Sequence, residues 1–173
     1  MMLNLLMNRR SIRKYKDKAI EKEKIDQIVK GALTSPSGKN IMPWELIVVD
    51  DKEILSELGA TRGPASRPIS NAPLAIVVLA DSEATDVWIE DASVISTIIQ
   101  LISESIGLGS CWIQVRQRYD ENKDAVEKSV KSLLSIPDKY NVEAIIAIGY
   151  PDEDKKPHQD TNLKYEKVHF NSF

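Results

Sequence analysis

The sequence predicts an α+β or α/β fold in which a mixed central sheet of about four strands is flanked by helices. Three observations predict it. Four segments rich in Val, Ile, Leu and Ala have strand length, segments with helical periodicity lie between them, and one helix is apolar around most of its circumference. Elements that alternate in this way build layered structures of sheet and helix. With 173 residues the chain can bury a sizeable core, and we expect one domain over residues 1–173.

The first part of the chain supplies one strand. A short helix is expected over residues 4–10, and apolar residues at helical spacing predict an amphipathic helix over residues 21–33. Pro, Ser, Gly and Asn mark residues 35–44 as a loop. The β-branched run at residues 44–49 predicts a strand, and a short helix is expected over residues 52–58.

The middle of the chain supplies the centre of the fold. Glycine and proline predict a long loop over residues 60–71, and the continuous apolar run at residues 74–80 predicts a strand buried on both faces. Residues 89–106 predict a central helix that is buried nearly all round. A third strand is expected over residues 110–115.

The last part completes the sheet. Apolar spacing predicts an amphipathic helix over residues 120–135, and residues 142–148 form the fourth predicted strand. The tail over residues 152–173 is polar and then ends in apolar and aromatic side chains, which need a surface to cover.

Composition excludes several classes of protein. The net charge of −3 does not suit a general nucleic-acid binder, and no segment is apolar for long enough to span a bilayer. The single cysteine, Cys111, permits no internal disulfide and suits a reducing, cytoplasmic setting. It lies in an apolar strand, where we expect a buried, inert thiol. His158 and His169 show no metal-ligand pattern, so we expect no metal site.

The residues near the start of the chain carry the strongest chemical signal. Arg9, Arg10, Ser11 and Arg13 follow one another closely. On a helix, Arg9 and Arg13 share a face, and a guanidinium can donate two parallel hydrogen bonds to a phosphate. The alternative is a solvated basic start to a surface helix.

A second candidate is the loop that precedes the first strand. Its polar donors Ser37, Lys39 and Asn40 lie between Pro36 and Pro43. The loop is either an ordinary connector or a shaped segment that hydrogen-bonds the edge of a ligand.

Taken together, these segments resemble the FMN-dependent nitroreductase family. The resemblance covers nearly the whole chain and rests on residues 9–15, 35–44, 91–92, 107–113, 148–151 and 168–171. It implies an α+β fold and an obligate homodimer with FMN at the subunit interface. The C-terminal segment is expected to extend onto the partner subunit.

The resemblance also implies which residues bind the cofactor. Those expected on the phosphate and pyrimidine side of FMN are Arg9, Arg10, Ser11 and Arg13. Those expected to reach FMN from the other subunit are Pro36, Ser37, Gly38 and Asn40. Those expected to complete the phosphate side are Gly149 and Tyr150, with Lys155 or Lys156.

The activity implied is electron transfer from NADH or NADPH to a small electron-poor acceptor, such as a nitroaromatic compound or a quinone. Ping-pong turnover needs no protein acid or base, so no catalytic residue is assigned. A flavin-binding sensor or carrier without turnover would share every phosphate-site residue. A domain that has lost its flavin would have no need of three crowded arginines. Many members of the family have a Gln-Asn pair where this chain has Thr97 and Ile98, which leaves the acceptor open.

Overall fold

The computed structural model describes residues 2–173, so Met1, the first residue of the predicted domain, lies outside the described residues. The strands are β1 (Trp44–Val49), β2 (Leu74–Asp81), β3 (Gly109–Gln114) and β4 (Tyr140–Gly149). The α-helices are α1 (Met2–Asn8), α2 (Lys22–Ala32), α3 (Lys52–Ala60), α4 (Arg67–Ser70), α5 (Trp88–Ser105) and α6 (Val126–Leu134). Single 3₁₀ turns lie at Gly38–Asn40, Gly63–Ala65, Asp160–Asn162 and Tyr165–Lys167.

The strands form one sheet in the order β1-β2-β4-β3, and all three pairings are antiparallel. The predicted α+β fold with about four strands and flanking helices is therefore confirmed. The sheet is less mixed than predicted, because parallel pairing in residues 2–173 is confined to one isolated bridge between Ser11 and Ser110. That bridge lies on β3, at the edge of the sheet.

The sheet separates two apolar layers. One layer joins the sheet to α3, α4 and α6 through residues such as Leu58, Ile69 and Val130. The other joins it to α2 and α5 through Ile28 and Ile95. Successive residues of a strand face opposite sides, so the continuous apolar runs of β2 and β4 supply both layers.

The central helix α5 has the predicted bounds within one residue but is not buried all round. Its inner face is buried against the sheet, whereas Val94 and Thr97 are exposed on its outer face. Packing on one face of a sheet covers only one side of a helix. The remaining apolar surface of α5 is left uncovered in this chain.

Three boundaries differ from the sequence predictions for local reasons. α6 begins at Val126 rather than residue 120, because the Asp120 carboxylate accepts the N–H groups of Asn122 and Asp124 at 2.9 Å and closes a turn there. The predicted loop over residues 60–71 contains a 3₁₀ turn and α4, each with a proline in its first turn, where proline suits a helix start.

The third correction concerns the start of the chain. α1 ends at Asn8, so Arg9 and Arg10 are not helical. The chain then runs along the edge of the sheet, where the N–H of Ile12 donates to the carbonyl of Ser110 at 2.9 Å. Among residues 2–173, no helix is long and apolar enough to cross a membrane.

Candidate functional site

The basic segment, residues 9–14, is held by backbone contacts with the sheet. Besides the contact at Ile12, the N–H of Lys16 donates to the carbonyl of Tyr150 and the N–H of Asp152 donates to the carbonyl of Lys14, both at 2.9 Å. Arg9 and Arg13 therefore do not share a helix face, and that part of the sequence argument is wrong. The segment is fixed along β3 and the residues that follow β4.

Tyr15 fixes the end of the basic segment from inside the core. Its buried hydroxyl donates to the carbonyl of Ile12 at 2.6 Å and to that of Ala147 at 3.2 Å. Burial, the largest cause, raises the pKa of Tyr15 far above its ordinary value, so the phenol stays protonated. The ring of Tyr15 fits only because residue 149 is glycine, since a Cβ at Gly149 would lie 2.7 Å from Cδ1 of Tyr15.

The three guanidinium groups of the basic segment have anion-binding chemistry. In the chain from residue 2 to 173, the guanidinium nitrogens of Arg9, Arg10 and Arg13 have no carboxylate oxygen within 4.0 Å. Arg10 donates to the carbonyl of Lys156, and Arg13 makes a 3.4 Å contact with the carbonyl of Ser11. Several guanidinium groups without carboxylate partners suit a phosphate, so the donor set fits the group that FMN presents.

The start of the C-terminal tail lies beside the basic segment. Glu153 accepts the N–H of Arg13 at 2.6 Å and the ammonium of Lys155 at 2.8 Å. The hydrogen bond from Lys155, followed by that from Arg13, holds the pKa of Glu153 below its ordinary value. The structure therefore brings Lys155 and Lys156 close to the arginines, although Glu153 engages the ammonium of Lys155.

The side chain of Tyr150 turns away from the arginines. Its hydroxyl donates to the carboxylate of Glu21 and accepts from Lys24 at 3.0 Å. The ammonium of Lys18 lies 4.0 Å from the centre of the ring. The hydrogen bond from Tyr150 is the largest cause that lowers the pKa of Glu21, to about 2. The hydroxyl of Tyr150 is thus engaged at α2, and its backbone carbonyl accepts the N–H of Lys16, just beyond the basic segment.

The loop of residues 36–42 forms the second candidate region. Lys39, Asn40 and Met42 have left-handed backbone conformations, with φ of 51°, 58° and 53°. The hydroxyl of Ser37 accepts the N–H of Met42 at 2.9 Å and closes the loop on itself. Pro36 and Asn40 are exposed, whereas Ser37 and Gly38 are half-buried.

The loop is tied to the N-terminal end of α5. The N–H of Gly38 donates to Oδ1 of Asp91 at 2.8 Å. The basic segment lies at the other end of the same helix, near Glu104, whose pKa burial raises against a smaller lowering by the charge of Arg9. Asp91 and Glu104 are 13 positions apart, which is about 20 Å along an α-helix. One chain therefore does not bring the two regions together.

Sequence reasoning missed the contacts that hold the two regions in place. Tyr15, Asp91 and Glu153 act through contacts with residues far away in the chain, for which the sequence has no local signal. The thiol of Cys111 is buried, as predicted. Burial raises its pKa and outweighs the lowering by the nearby charges of Arg13 and Arg9.

Known proteins match this chain along most of its length. A family model described as "Nitroreductase family" matches residues 6–62 and 62–150. A protein of Archaeoglobus fulgidus, provisionally named an NADH dehydrogenase/NAD(P)H nitroreductase, is 33% identical over 172 residues, which span 96% of this chain and 95% of that protein.

Solved structures agree in fold. The structure of an FMN-dependent nitroreductase from Clostridium difficile R20291 is 54% identical, has a TM-score of 0.96 and is matched over 99% of both chains. An NADPH:FMN oxidoreductase from Vibrio harveyi complexed with NAD+ is 21% identical, with a TM-score of 0.84 over 99% of this chain and 77% of that one. The second likeness concerns the fold alone.

Proposed function

The chain belongs to the nitroreductase family, and we propose that it is an FMN-dependent oxidoreductase that passes electrons from NADH or NADPH to a small, electron-poor acceptor. Nitroaromatic compounds and quinones are the acceptor classes we expect. The observation that carries the proposal is the basic segment, whose three guanidinium groups have no carboxylate partner in residues 2–173 and are held on a fixed backbone. The names of the relatives from Clostridium difficile and Archaeoglobus fulgidus support it.

The residues that would hold FMN divide into two sets. Arg9, Arg10 and Arg13 would bind the phosphate and the polar edge of the ring system, with Ser11 as a neutral donor and Lys155 or Lys156 beside them. When bound, FMN supplies a ring that accepts electrons from the nicotinamide and gives them to the acceptor. The positive field of the arginines favours whichever redox form of the bound group carries more negative charge. Gly149 and Tyr150 contribute through their backbone in this proposal.

The second set is the loop with Pro36, Ser37, Gly38 and Asn40. Because it lies at the far end of α5 from the basic segment, we propose that it contacts the FMN held by a second copy of the chain. The active protein is then a homodimer with two FMN sites at the interface. In this arrangement both regions contact the same FMN, which they cannot do within one chain.

Exposed apolar side chains support the homodimer. On α1, Met2 and Leu3 are 64% and 68% exposed, and in the tail Phe170 and Phe173 are more than four-fifths exposed. Apolar surface of this kind normally marks an interface. We propose that α1, the outer face of α5 and the tail over residues 152–173 pack against the partner subunit.

The remaining assignments are part of the same proposal. Residues 1–173 form one FMN-binding domain, and the protein works in the cytoplasm on small molecules rather than on nucleic acid or membranes. We expect ping-pong kinetics, in which the oxidised nicotinamide leaves before the acceptor binds, and we assign no catalytic side chain.

An absorption spectrum of the purified protein, taken together with its elution volume from a sizing column, tests the proposal. We expect a yellow dimer whose heat-released chromophore is FMN, and NADH or NADPH oxidation that depends on an added nitroaromatic compound or quinone. A yellow protein without turnover would indicate a flavin-binding sensor or carrier instead. A colourless protein that takes up no added FMN would contradict the proposal.

A further inference from the structure

Asp91 is buried in a way that α5 alone does not explain. It lies in the first turn of the helix and is only 5% exposed. One carboxylate oxygen accepts the N–H of Gly38 at 2.8 Å, and the other is buried without a donor among residues 2–173. Burying a carboxylate oxygen without a donor costs free energy, which the rest of the fold must offset.

The usual reason for an acidic residue in a first turn is the helix dipole. The neighbouring Glu90 already meets that need from an exposed position, where a carboxylate keeps its water. We therefore connect the burial of Asp91 with its hydrogen bond to the loop. A hydrogen bond to an ionised acceptor is about twice as strong as a neutral one, which suits a single fixed anchor.

The loop needs such an anchor because its backbone is strained. Lys39 and Met42 have left-handed conformations, which are unfavourable for such side chains, and Asn40 between them has a left-handed conformation that asparagine tolerates better. The remaining hydrogen bonds of residues 37–42 stay within the loop itself, such as Asn40 to Ser37 and Met42 to Ser37. Strained conformations persist only where the surroundings determine them, and they concentrate at functional sites.

Gly38 allows the close approach to α5 that the anchor requires. A Cβ at Gly38 would lie 2.7 Å from Cγ2 of Val87, so a larger residue would push the amide away from Asp91. We propose that Asp91 is a positioning residue, which fixes the loop of residues 37–42 in the shape that contacts FMN across the subunit interface. This inference rests on the proposed function.

Two measurements on FMN-free protein test the inference. Titration with FMN, followed by the quenching of flavin fluorescence, gives the dissociation constant, and hydrogen–deuterium exchange of a peptide covering residues 37–42 reports how firmly the loop is held. For Asp91→Ala we expect FMN to bind at least about tenfold more weakly, because a hydrogen bond to a charged acceptor is lost, and the loop to exchange faster. Asp91→Asn keeps an acceptor oxygen, so we expect affinity within about threefold of the wild type.

Ser96→Ala is the matched control. Ser96 is also fully buried in α5, but its hydroxyl donates to the carbonyl of Ala92 within the helix. We expect this variant to lower the melting temperature and to leave both loop exchange and FMN affinity unchanged. An Asp91→Ala protein with wild-type affinity, or with a loss that Ser96→Ala shares, would overturn the inference.

Gly38→Ala tests the same contact from the loop side and serves if Asp91→Ala does not fold. We expect about tenfold weaker FMN binding and faster loop exchange, and wild-type values for both would overturn the inference. A wild-type protein that binds no FMN would instead contradict the proposed function and the flavin part of this inference. The exchange data would still decide whether Asp91 holds the loop.

Discussion

The two regions at the ends of α5 are held in place by different means. Backbone hydrogen bonds to the sheet fix the basic segment over several residues, and the buried Tyr15 closes it from within. The loop of residues 36–42 is strained and is tied to α5 through one carboxylate. The basic segment offers positive charge to a ligand, whereas the loop offers a fixed backbone conformation. We therefore expect the basic segment to supply most of the affinity for FMN and the loop to supply orientation.

The largest effect is expected from the charge of the basic segment. Arg13→Ala should weaken FMN binding by about tenfold to a hundredfold, because a charge-assisted hydrogen bond to phosphate is lost. Arg13→Lys should fall between that variant and the wild type, since it keeps the charge without the planar fork. Titration of FMN-free protein by flavin fluorescence measures both.

Arg67→Ala is the matched control for this prediction. Arg67 is an exposed arginine on α4, which packs with α3 on the opposite face of the sheet from α5. We expect wild-type affinity for FMN. Unchanged flavin content in Arg13→Ala would remove Arg13 from the site.

Gly149→Ala tests whether packing holds the basic segment. The added Cβ would lie 2.7 Å from both the ring of Tyr15 and Cδ of Pro73, and overpacking of this kind costs about 1–3 kcal/mol of stability. Urea denaturation measures the loss, and FMN affinity should fall as well because Tyr15 holds the carbonyl of Ile12. Gly63→Ala is the matched control, because it places an alanine in a left-handed conformation with open space around it. We expect this variant to lose stability and to keep wild-type affinity for FMN. Equal FMN affinity in both variants would contradict the role of Tyr15.

The contacts of Glu153 with the ammonium of Lys155 and the N–H of Arg13 should make stability depend on pH. The pKa of Glu153 is below its ordinary value of 4.5 in the fold, so its ionised form stabilises the protein above that pH. The melting temperature of the wild type should exceed that of Glu153→Gln at pH 7. The difference should shrink as the pH falls from about 4.5 through the folded pKa. A difference that stays constant down to pH 3 would mean that the charge of Glu153 contributes nothing.

The smallest effect is expected at Tyr150, whose hydroxyl contacts α2. Tyr150→Phe should leave FMN affinity unchanged and cost only a few tenths of a kcal/mol, as exposed polar contacts usually do. The pKa of Glu21 should rise from about 2 toward its ordinary value of 4.5, which an NMR titration can follow. Loss of FMN in this variant would place the hydroxyl in the site.

The sequence predicted well those elements whose signal is local. Strand β1 has the predicted bounds Trp44–Val49, because a β-branched run lies between a loop and a turn. The start of α6 also had a local signal, since Asp120, Asn122 and Asp124 have the spacing of a side-chain turn. A turn over residues 120–124 indicates that the helix begins after residue 124.

The sequence could not give what depends on distant contacts. The order of Arg9, Ser11 and Arg13 led us to predict a phosphate site, but the conformation of this segment depends on a contact with Ser110, which is about a hundred positions away. The carboxylate of Asp91 meets Gly38 across 53 positions. Such contacts follow from how the chain packs, for which a single sequence offers no local pattern.

A mixed dimer tests the central claim most directly. Arg13→Ala damages only the basic segment and Gly38→Ala only the loop, so each variant alone should bind FMN weakly. If two chains build each site, a dimer with one chain of each kind has one site with both changes and one site with neither. We predict that differently tagged chains, refolded together and purified as mixed dimers, bind one FMN per dimer with wild-type affinity. Mixed dimers without a wild-type site would show that each site lies within one chain and would contradict the account.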